Sequence, residues 1–340
     1  MKRYGAVVIG CGYMGSLHLD AISRQERVRL IGVADWNRDR ASLVASQYGA
    51  ECWSTDYRAL IERDDVDLVI IATYPSSHLE IAKDCLAAGK HILCEKPMAG
   101  NARETQEFMK LARGAKTKVL IGHILRHNTT YQAVMKMIRE GAIGFPLVIR
   151  LSQLKPSKNW ASHLSLLRDV SPIVDCGVHY IDVMRWATGA DVVSVNGIGQ
   201  RLYEEVPPYT YNYGLMTLRL SDGSIGYFET GWGKGIPTDN RKEFIGPAGR
   251  IRIIYKNDRP REDQHLGNLV EVEDCRKGTV RQINMDFSVK PTGAQLDYFL
   301  SMLENNLPAI PAMEDAFRAM EIALLADRAI HEGITLPCAK

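Results

Sequence analysis

A short apolar run, residues 5–9, passes directly into Gly10-Cys11-Gly12-Tyr13-Met14-Gly15. Nothing polar interrupts the run, so it reads as a strand buried on both faces. The glycines then turn the chain into a helix over Ser16–Ser23. A second strand, Arg29–Ala34, ends at Asp35, about 20 residues on, where such a βαβ unit places the acid that binds a nucleotide ribose. In this context Gly10 allows the tight turn, Gly12 the approach of backbone to a pyrophosphate, and Gly15 the close packing of helix on strand. A pyrophosphate there gains backbone N–H donors and the positive end of the helix dipole. The pattern predicts dinucleotide binding. Asp35 would hold a 2′-hydroxyl and repel a 2′-phosphate, which favours NAD. Arg38 and Arg40, just beyond, would either meet the phosphate of NADP or lie exposed on a helix.

The same alternation continues. Strands at 51–53, Leu68–Ala72, His91–Cys94 and Lys118–Ile121 are separated by helices over Arg38–Tyr48, Thr55–Arg63, Ser77–Ala88 and Ala102–Gly114. This rhythm predicts a doubly wound parallel sheet, an α/β fold, over residues 1–122. Beyond it the rhythm changes. A helix over Tyr131–Glu140 is followed by a strand over Pro146–Leu154, a polar loop carrying Trp160 and His163, and one helix over Val174–Ala187. Then come seven strands between Val192 and Met285, with Ser221-Asp222-Gly223-Ser224 as a hairpin turn. Helices over Thr292–Asn305 and Met313–Glu332 close the chain. Residues 123–340 read as an α+β domain on a large, mostly antiparallel sheet, its last helices able to pack back on the first domain.

Lysine and arginine nearly balance aspartate and glutamate, giving a net charge of +2, so neither nucleic acid nor an anionic membrane surface is expected as a partner. Seven scattered cysteines without a Cys-x-x-Cys pair argue for thiols in a reducing compartment and against a disulfide framework or zinc ribbon. The apolar stretch after Met1-Lys2-Arg3 is too short for a secretory leader, and no segment approaches the ~18 apolar residues of a membrane span. The expectation is a cytoplasmic protein.

Two further stretches carry chemistry. In Leu93-Cys94-Glu95-Lys96-Pro97-Met98-Ala99 a lysine follows a buried strand and a proline fixes the backbone after it. That places Lys96 at the carboxyl end of a strand, where open α/β sheets gather ligands; the plain alternative is a solvated loop. Asp175 and His179 are four apart in a helical pattern and project from one face. Three readings are open for them: a helix-terminal acid with a core histidine, a metal pair for which no third ligand is marked, or an acid–base pair. In the last, His179 takes a hydroxyl proton, Asp175 orients it, and Lys96 stabilises alkoxide character.

With the glycine fingerprint, Glu95-Lys96-Pro97 and Asp175-x-x-x-His179 in one chain, the sequence resembles the Gfo/Idh/MocA oxidoreductases over essentially its whole length. Further matches are Thr73-Tyr74-Pro75-Ser76-Ser77-His78, Gly122-His123-Ile124-Leu125-Arg126, Glu140-Gly141-Ala142-Ile143-Gly144 and Gly246-Pro247-Ala248-Gly249. The resemblance implies a Rossmann domain, an open-sheet second domain, and homodimers or homotetramers joined through that sheet. It implies Lys96, Asp175 and His179 as the catalytic set and a cis Lys96–Pro97 bond. Cofactor contacts would come from Gly10, Gly12, Tyr13, Met14, Gly15, Asp35, Arg40, Ala72, Thr73, His78, Glu95 and Lys96. Tyr13, His123, Arg126, Trp160 and His163 would join the catalytic set at the substrate. The implied activity is NAD(P)-dependent oxidation of a secondary hydroxyl of a sugar, sugar derivative or cyclitol. Relatives that cleave glycosides without net redox change, and a non-catalytic regulator of the same fold, supply the rival readings. Asp169-Val170-Ser171-Pro172 departs from the glycines usual in the family at this point, and Tyr74 from its usual proline.

Overall fold

The computed structural model describes residues 3–287 and 290–338. These fall into two compact units, 3–127 with 290–318, and 128–287 with 319–338. The first unit thus runs past the boundary expected at 122 and takes in 290–318.

In the first unit the apolar runs become strands β1 (Tyr4–Ile9), β2 (Val28–Ala34), β3 (Cys52–Ser54), β4 (Leu68–Ile71), β5 (His91–Cys94) and β6 (Val119–Ile121). All pair in parallel, in the order β3-β2-β1-β4-β5-β6. Val7, Val8, Val69, Ile70, Ile92 and Leu93 are fully buried, each side chain contributing roughly 1.5–3 kcal/mol. The connecting helices are α1 (Tyr13–Ser23), α2 (Arg38–Tyr48), α3 (Arg58–Ile61), α4 (Pro75–Ala87) and α5 (Ala102–Gly114). Helix α3 is shorter than its sequence pattern suggests, because Asp56 Oδ1 accepts the Arg58 N–H at 3.0 Å and holds the preceding residues in a turn. Since β1 lies between β2 and β4, the strand order reverses beside it, and the carboxyl ends of β1 and β4 form the crevice where such sheets bind ligands.

The second unit begins with α6 (Thr129–Arg139) and β7 (Val148–Pro156), followed by α7 (Trp160–Leu167), α8 (Pro172–Asp175) and α9 (Gly177–Thr188). Strands β8 (Val192–Gln200), β9 (Tyr213–Leu220), β10 (Ile225–Gly233), β11 (Lys242–Gly246), β12 (Gly249–Ile254), β13 (Asn268–Asp274) and β14 (Thr279–Met285) follow. After α10 (Thr292–Glu304) and α11 (Met313–Glu332), a short β15 (Leu336–Pro337) adds to β8. The nine strands lie in the order β14-β13-β12-β11-β7-β10-β9-β8-β15, and only β7 and β10 pair in parallel. Two local expectations are corrected. The loop expected around Trp160 is helix α7, started by Asn159, whose side chain accepts the Ser162 N–H at 3.1 Å. The single helix expected over Val174–Ala187 is two, α8 and α9, with Cys176 between them. Among the described residues no helix is long and apolar enough to cross a membrane.

Helix α9 is seated on the sheet by polar contacts as well as apolar ones. The Tyr180 ring stacks on Phe228 of β10 at 4.4 Å, and its hydroxyl donates to Gln153 Oε1 of β7 at 3.0 Å. Beneath it the fully buried Lys242 donates to the Ser152 carbonyl and lies 4.8 Å from the Tyr180 ring and 5.7 Å from that of Tyr255. Burial drives the Lys242 amine down from 10.5 to about 7, more than the nearby Asp239 and Asp258 charges restore. Between those two values the unfolded chain holds a proton that the folded chain has released, so this group makes stability rise with pH across that window. Lys242→Met should flatten the rise, removing about 2 kcal/mol of the gain between pH 7 and 9; urea unfolding at both pH values measures it.

Candidate active site

The first part of the site is built at the carboxyl ends of β1 and β2. Gly10 has φ +96°, and a Cβ there would lie 2.4 Å from the Ala72 carbonyl oxygen. A Cβ at Gly15 would lie 1.9 Å from the Gly10 oxygen, so α1 can press on the turn only because no side chain intervenes. Gly12 is the opposite case: nothing lies within 4 Å of a Cβ placed there, and its backbone is in the ordinary extended region. That open cradle faces the start of α1, whose first N–H groups no side chain caps. It fits a pyrophosphate.

Asp35 is buried and held at both oxygens. The Cys11 N–H donates to Oδ2 and the Asn37 N–H to Oδ1, each at 2.9 Å, while Arg40 Nη1 stands 3.6 Å from Oδ2. Arg40 therefore faces the acid that would select a ribose hydroxyl, and Arg38 is drawn over the Trp53 ring at 5.5 Å. Trp36, which sequence reasoning missed, is 79% exposed beside Asp35. An indole so exposed gains from being covered, and a purine is the group its neighbour Asp35 would bring.

The second part lies after β4 and β5. Lys96 follows β5 half-buried, and the Lys96–Pro97 bond is cis. Ala72 and Thr73 follow β4, and the Ser77 hydroxyl donates to Thr73 Oγ1 at 2.7 Å. Two residues that the sequence assigns to the cofactor, His78 and Glu95, are buried and bonded within the protein. His78 Nδ1 lies 2.8 Å from the Pro97 carbonyl oxygen and Nε2 3.2 Å from that of Thr73, so this ring ties the two loops together. Glu95 Oε1 lies 2.7 Å from Nε2 of His18 on α1. Burial opposes ionisation of Glu95, but the His18 hydrogen bond, with the charges of His18, Lys96 and Lys290, outweighs it and holds the carboxyl below its usual range. His123 is buried and Arg126 half-buried, in the turn after β6 and a following 3₁₀ helix.

The remaining candidate residues are in the second unit. Ser171 Oγ accepts the Val174 N–H at 3.2 Å and Pro172 opens α8, so the Ser-Pro that departs from the family pattern serves here as a helix cap. The Tyr211 hydroxyl bonds both Ser171 Oγ at 3.2 Å and Asp327 Oδ1 at 2.6 Å, fixing that cap. Asp175 ends α8, half-buried, with the Cys176 thiol 3.5 Å from its Oδ2; His179 is buried in the first turn of α9. Trp160 and His163 are brought together with two aromatics that the sequence did not mark. Trp160 meets Tyr203 edge-on at 5.2 Å, and His163 lies 5.2 Å from the Trp232 ring. His163 Nδ1 is held by Ser157 Oγ at 2.7 Å and the Asn159 carbonyl at 3.0 Å. Among the described residues no group of three or more His, Cys, Asp or Glu side chains is arranged to hold a metal ion.

A glycine cradle at the reversal point of a parallel sheet, with a buried acid at the end of the second strand, defines a dinucleotide-binding protein of the Rossmann class. Residues 4–123 match the model of the oxidoreductase family with an NAD-binding Rossmann fold, and residues 131–252 match that of the GFO/IDH/MocA C-terminal domain. The chain belongs to the Gfo/Idh/MocA oxidoreductases. It is 25% identical over 334 residues to an inositol 2-dehydrogenase of Rhizobium meliloti, covering 97% of each chain. It is 26% identical over 339 residues to a scyllo-inositol 2-dehydrogenase (NAD(+)) of Bacillus subtilis, covering 96% of this chain and 94% of that one. A crystal structure of scyllo-inositol dehydrogenase from Lactobacillus casei, with bound NAD(H) and scyllo-inositol, superposes with a TM-score of 0.79 at 22% identity and 99% coverage of both chains. That likeness is one of fold.

Gly12→Val separates binding from folding. With nothing near its Cβ and an ordinary backbone, the variant should melt within about 2 °C of the parent, a surface-like effect. Its side chain would fill the cradle, so NAD affinity should fall by roughly a hundredfold or more. Calorimetric titration with NAD and a thermal melt read the two effects.

Proposed function

We propose that the protein is an NAD-dependent dehydrogenase that oxidises a secondary hydroxyl of a cyclitol or closely related sugar, with inositols the first candidates. The observation that carries this reading is Lys96, set after β5 at the carboxyl edge of the same sheet whose reversal point holds the dinucleotide cradle. The relatives named as inositol dehydrogenases, matched end to end, support the substrate class. NAD, held by the Gly10–Gly15 turn and Asp35, supplies the hydride acceptor when bound.

In this reading His179 takes the hydroxyl proton, a task suited to a histidine near neutral pH. Asp175 orients the imidazole and favours its charged form. Lys96 donates a hydrogen bond to the substrate oxygen and steadies the negative charge that grows there. Tyr13, His123, Arg126, Trp160 and His163 serve substrate orientation, the aromatic rings suiting the C–H face of a polyol ring. Buried Asp35 favours NAD over NADP, and the nearby Arg40 gives NADP a residual foothold. Association through the second unit's open sheet into a homodimer or homotetramer, and residence in the cytoplasm, belong to the same proposal.

The test is a screen of inositols and sugars with NAD and with NADP, following reduced nicotinamide optically. Oxidation of a cyclitol with NAD is expected. Release of sugar from a glycoside without accumulating reduced cofactor would replace this reading with a glycosidase. With the true substrate, Lys96→Ala and His179→Ala should each lower kcat by roughly three powers of ten and still bind NAD; near-normal turnover in either would overturn the assignment.

A further inference from the structure

We infer that His18, a residue of the fingerprint helix, is a positioning residue for Lys96, acting through the buried carboxylate of Glu95. The inference rests on the reading of Lys96 as the group that meets the substrate oxygen.

His18 lies three residues after Gly15 on α1 and is wholly buried. Its Nε2 is 2.7 Å from Glu95 Oε1, across 77 residues of sequence. Glu95 is 4% exposed. Its other carboxylate oxygen faces Gly122, where a Cβ would lie 3.0 Å from Oε2 and 3.1 Å from the Glu95 Cα. The carboxylate is therefore confined between an imidazole on one side and a bare backbone on the other. Its own N–H donates to the Ile71 carbonyl at 2.8 Å, and the Gly122 N–H donates to the Cys94 carbonyl at 2.7 Å, so the main chain on both sides of it is tied into the sheet. On the far side of Lys96, His78 holds the Pro97 carbonyl. The lysine is thus the one residue of Glu95–Pro97 left half-exposed between two anchored neighbours.

A buried carboxylate needs a partner. Left without one, it costs several kilocalories and takes up a proton instead. His18 spares Glu95 that fate and keeps a negative charge next to Lys96, favouring its ammonium form and fixing the stem of its turn. Because His18 rides on the helix whose first turn forms the dinucleotide cradle, the lysine is aligned to the cofactor helix as well as to its own strand. A structural role alone would predict a loss of stability and nothing more.

Two variants distinguish these. His18→Leu removes the ring nitrogens, and His18→Gln retains an N–H donor on a side chain of similar reach. In protein labelled with ¹³C at lysine Cε, with the Lys96 signal assigned by its loss in Lys96→Arg, His18→Leu should make Lys96 titrate at lower pH than in the parent. His18→Gln should restore most of the parent behaviour, and the other lysines should not move. With the substrate found by the screen, His18→Leu should lower kcat by roughly ten- to a hundredfold while KM for NAD stays within about threefold, and the alkaline limb of the kcat profile should move with the Lys96 titration. Should His18→Leu not fold, Glu95→Gln, which removes the charge and keeps the shape, must lower the Lys96 titration in the same way. An unchanged Lys96 titration in a folded variant overturns the inference even if its melting temperature falls. The titration needs no substrate: if no polyol is oxidised but Lys96 still responds to His18, the dehydrogenase reading fails and the alignment stands.

Discussion

The contact on which the first unit's chemistry depends is one between backbones, permitted by missing side chains. Helix α1 rests on the carbonyl of Gly10, and Gly10 rests on the carbonyl of Ala72. Neither approach survives a Cβ. From these two contacts follow the direction of the helix dipole, the open space at Gly12, and the reach of His18 to the end of β5. A loop usually described by what it binds is equally a hinge point of the fold, and it sets the frame in which Lys96 is held.

The second unit solves a different problem, that of keeping a short helix bearing an acid and a longer one bearing a histidine in register on a broad sheet. It does so with polar groups drawn from distant parts of the chain. Ser171 caps α8 and is itself fixed by Tyr211 and Asp327; Tyr180, next to His179, is bonded to β7 and stacked on β10. Lys242 beneath it is a costly choice, since a hydrophobic residue of similar size would avoid its desolvation. Its cost is offset in part by the faces of two tyrosines, and its directional bond to Ser152 pins β11 to β7 at the point where α9 lies.

Much of this was legible in one dimension, and the exceptions have physical causes. Strands β1, β4 and β6 are continuous apolar runs, and such runs announce themselves. The fingerprint and Asp35 were legible because the turn leaves no freedom in residue type or spacing. The sequence of helix α7 reads as loop because polar Ser162 and Ser165 obscure the period of Trp160, Leu164 and Leu167; the Asn159 cap is the available signal. The break at Cys176 lies between two helical stretches whose apolar spacing continues across it. Least legible were the pairings: His18 with Glu95, Tyr211 with Asp327, Trp160 with Tyr203. No local pattern links such residues, because their proximity is created by strand order and helix packing. His78 and Glu95, which the motif marks for the cofactor, also bond within the protein, and a motif does not record such contacts.

The first unit is not continuous in the chain. Leu296, Phe299, Leu300 and Met302 of α10 share one apolar cluster with Tyr4, Val8, Leu19, Ile22 and Val28, yet the whole of 128–289 is synthesised between them. At ~5–20 residues per second, a ribosome leaves that cluster unfinished for about ten to thirty seconds. During that interval Leu19 and Ile22, on the later turns of α1, lack the cover that α10 gives them. Birth order thus leaves the first unit open until 290–318 has emerged, although most of it is made first.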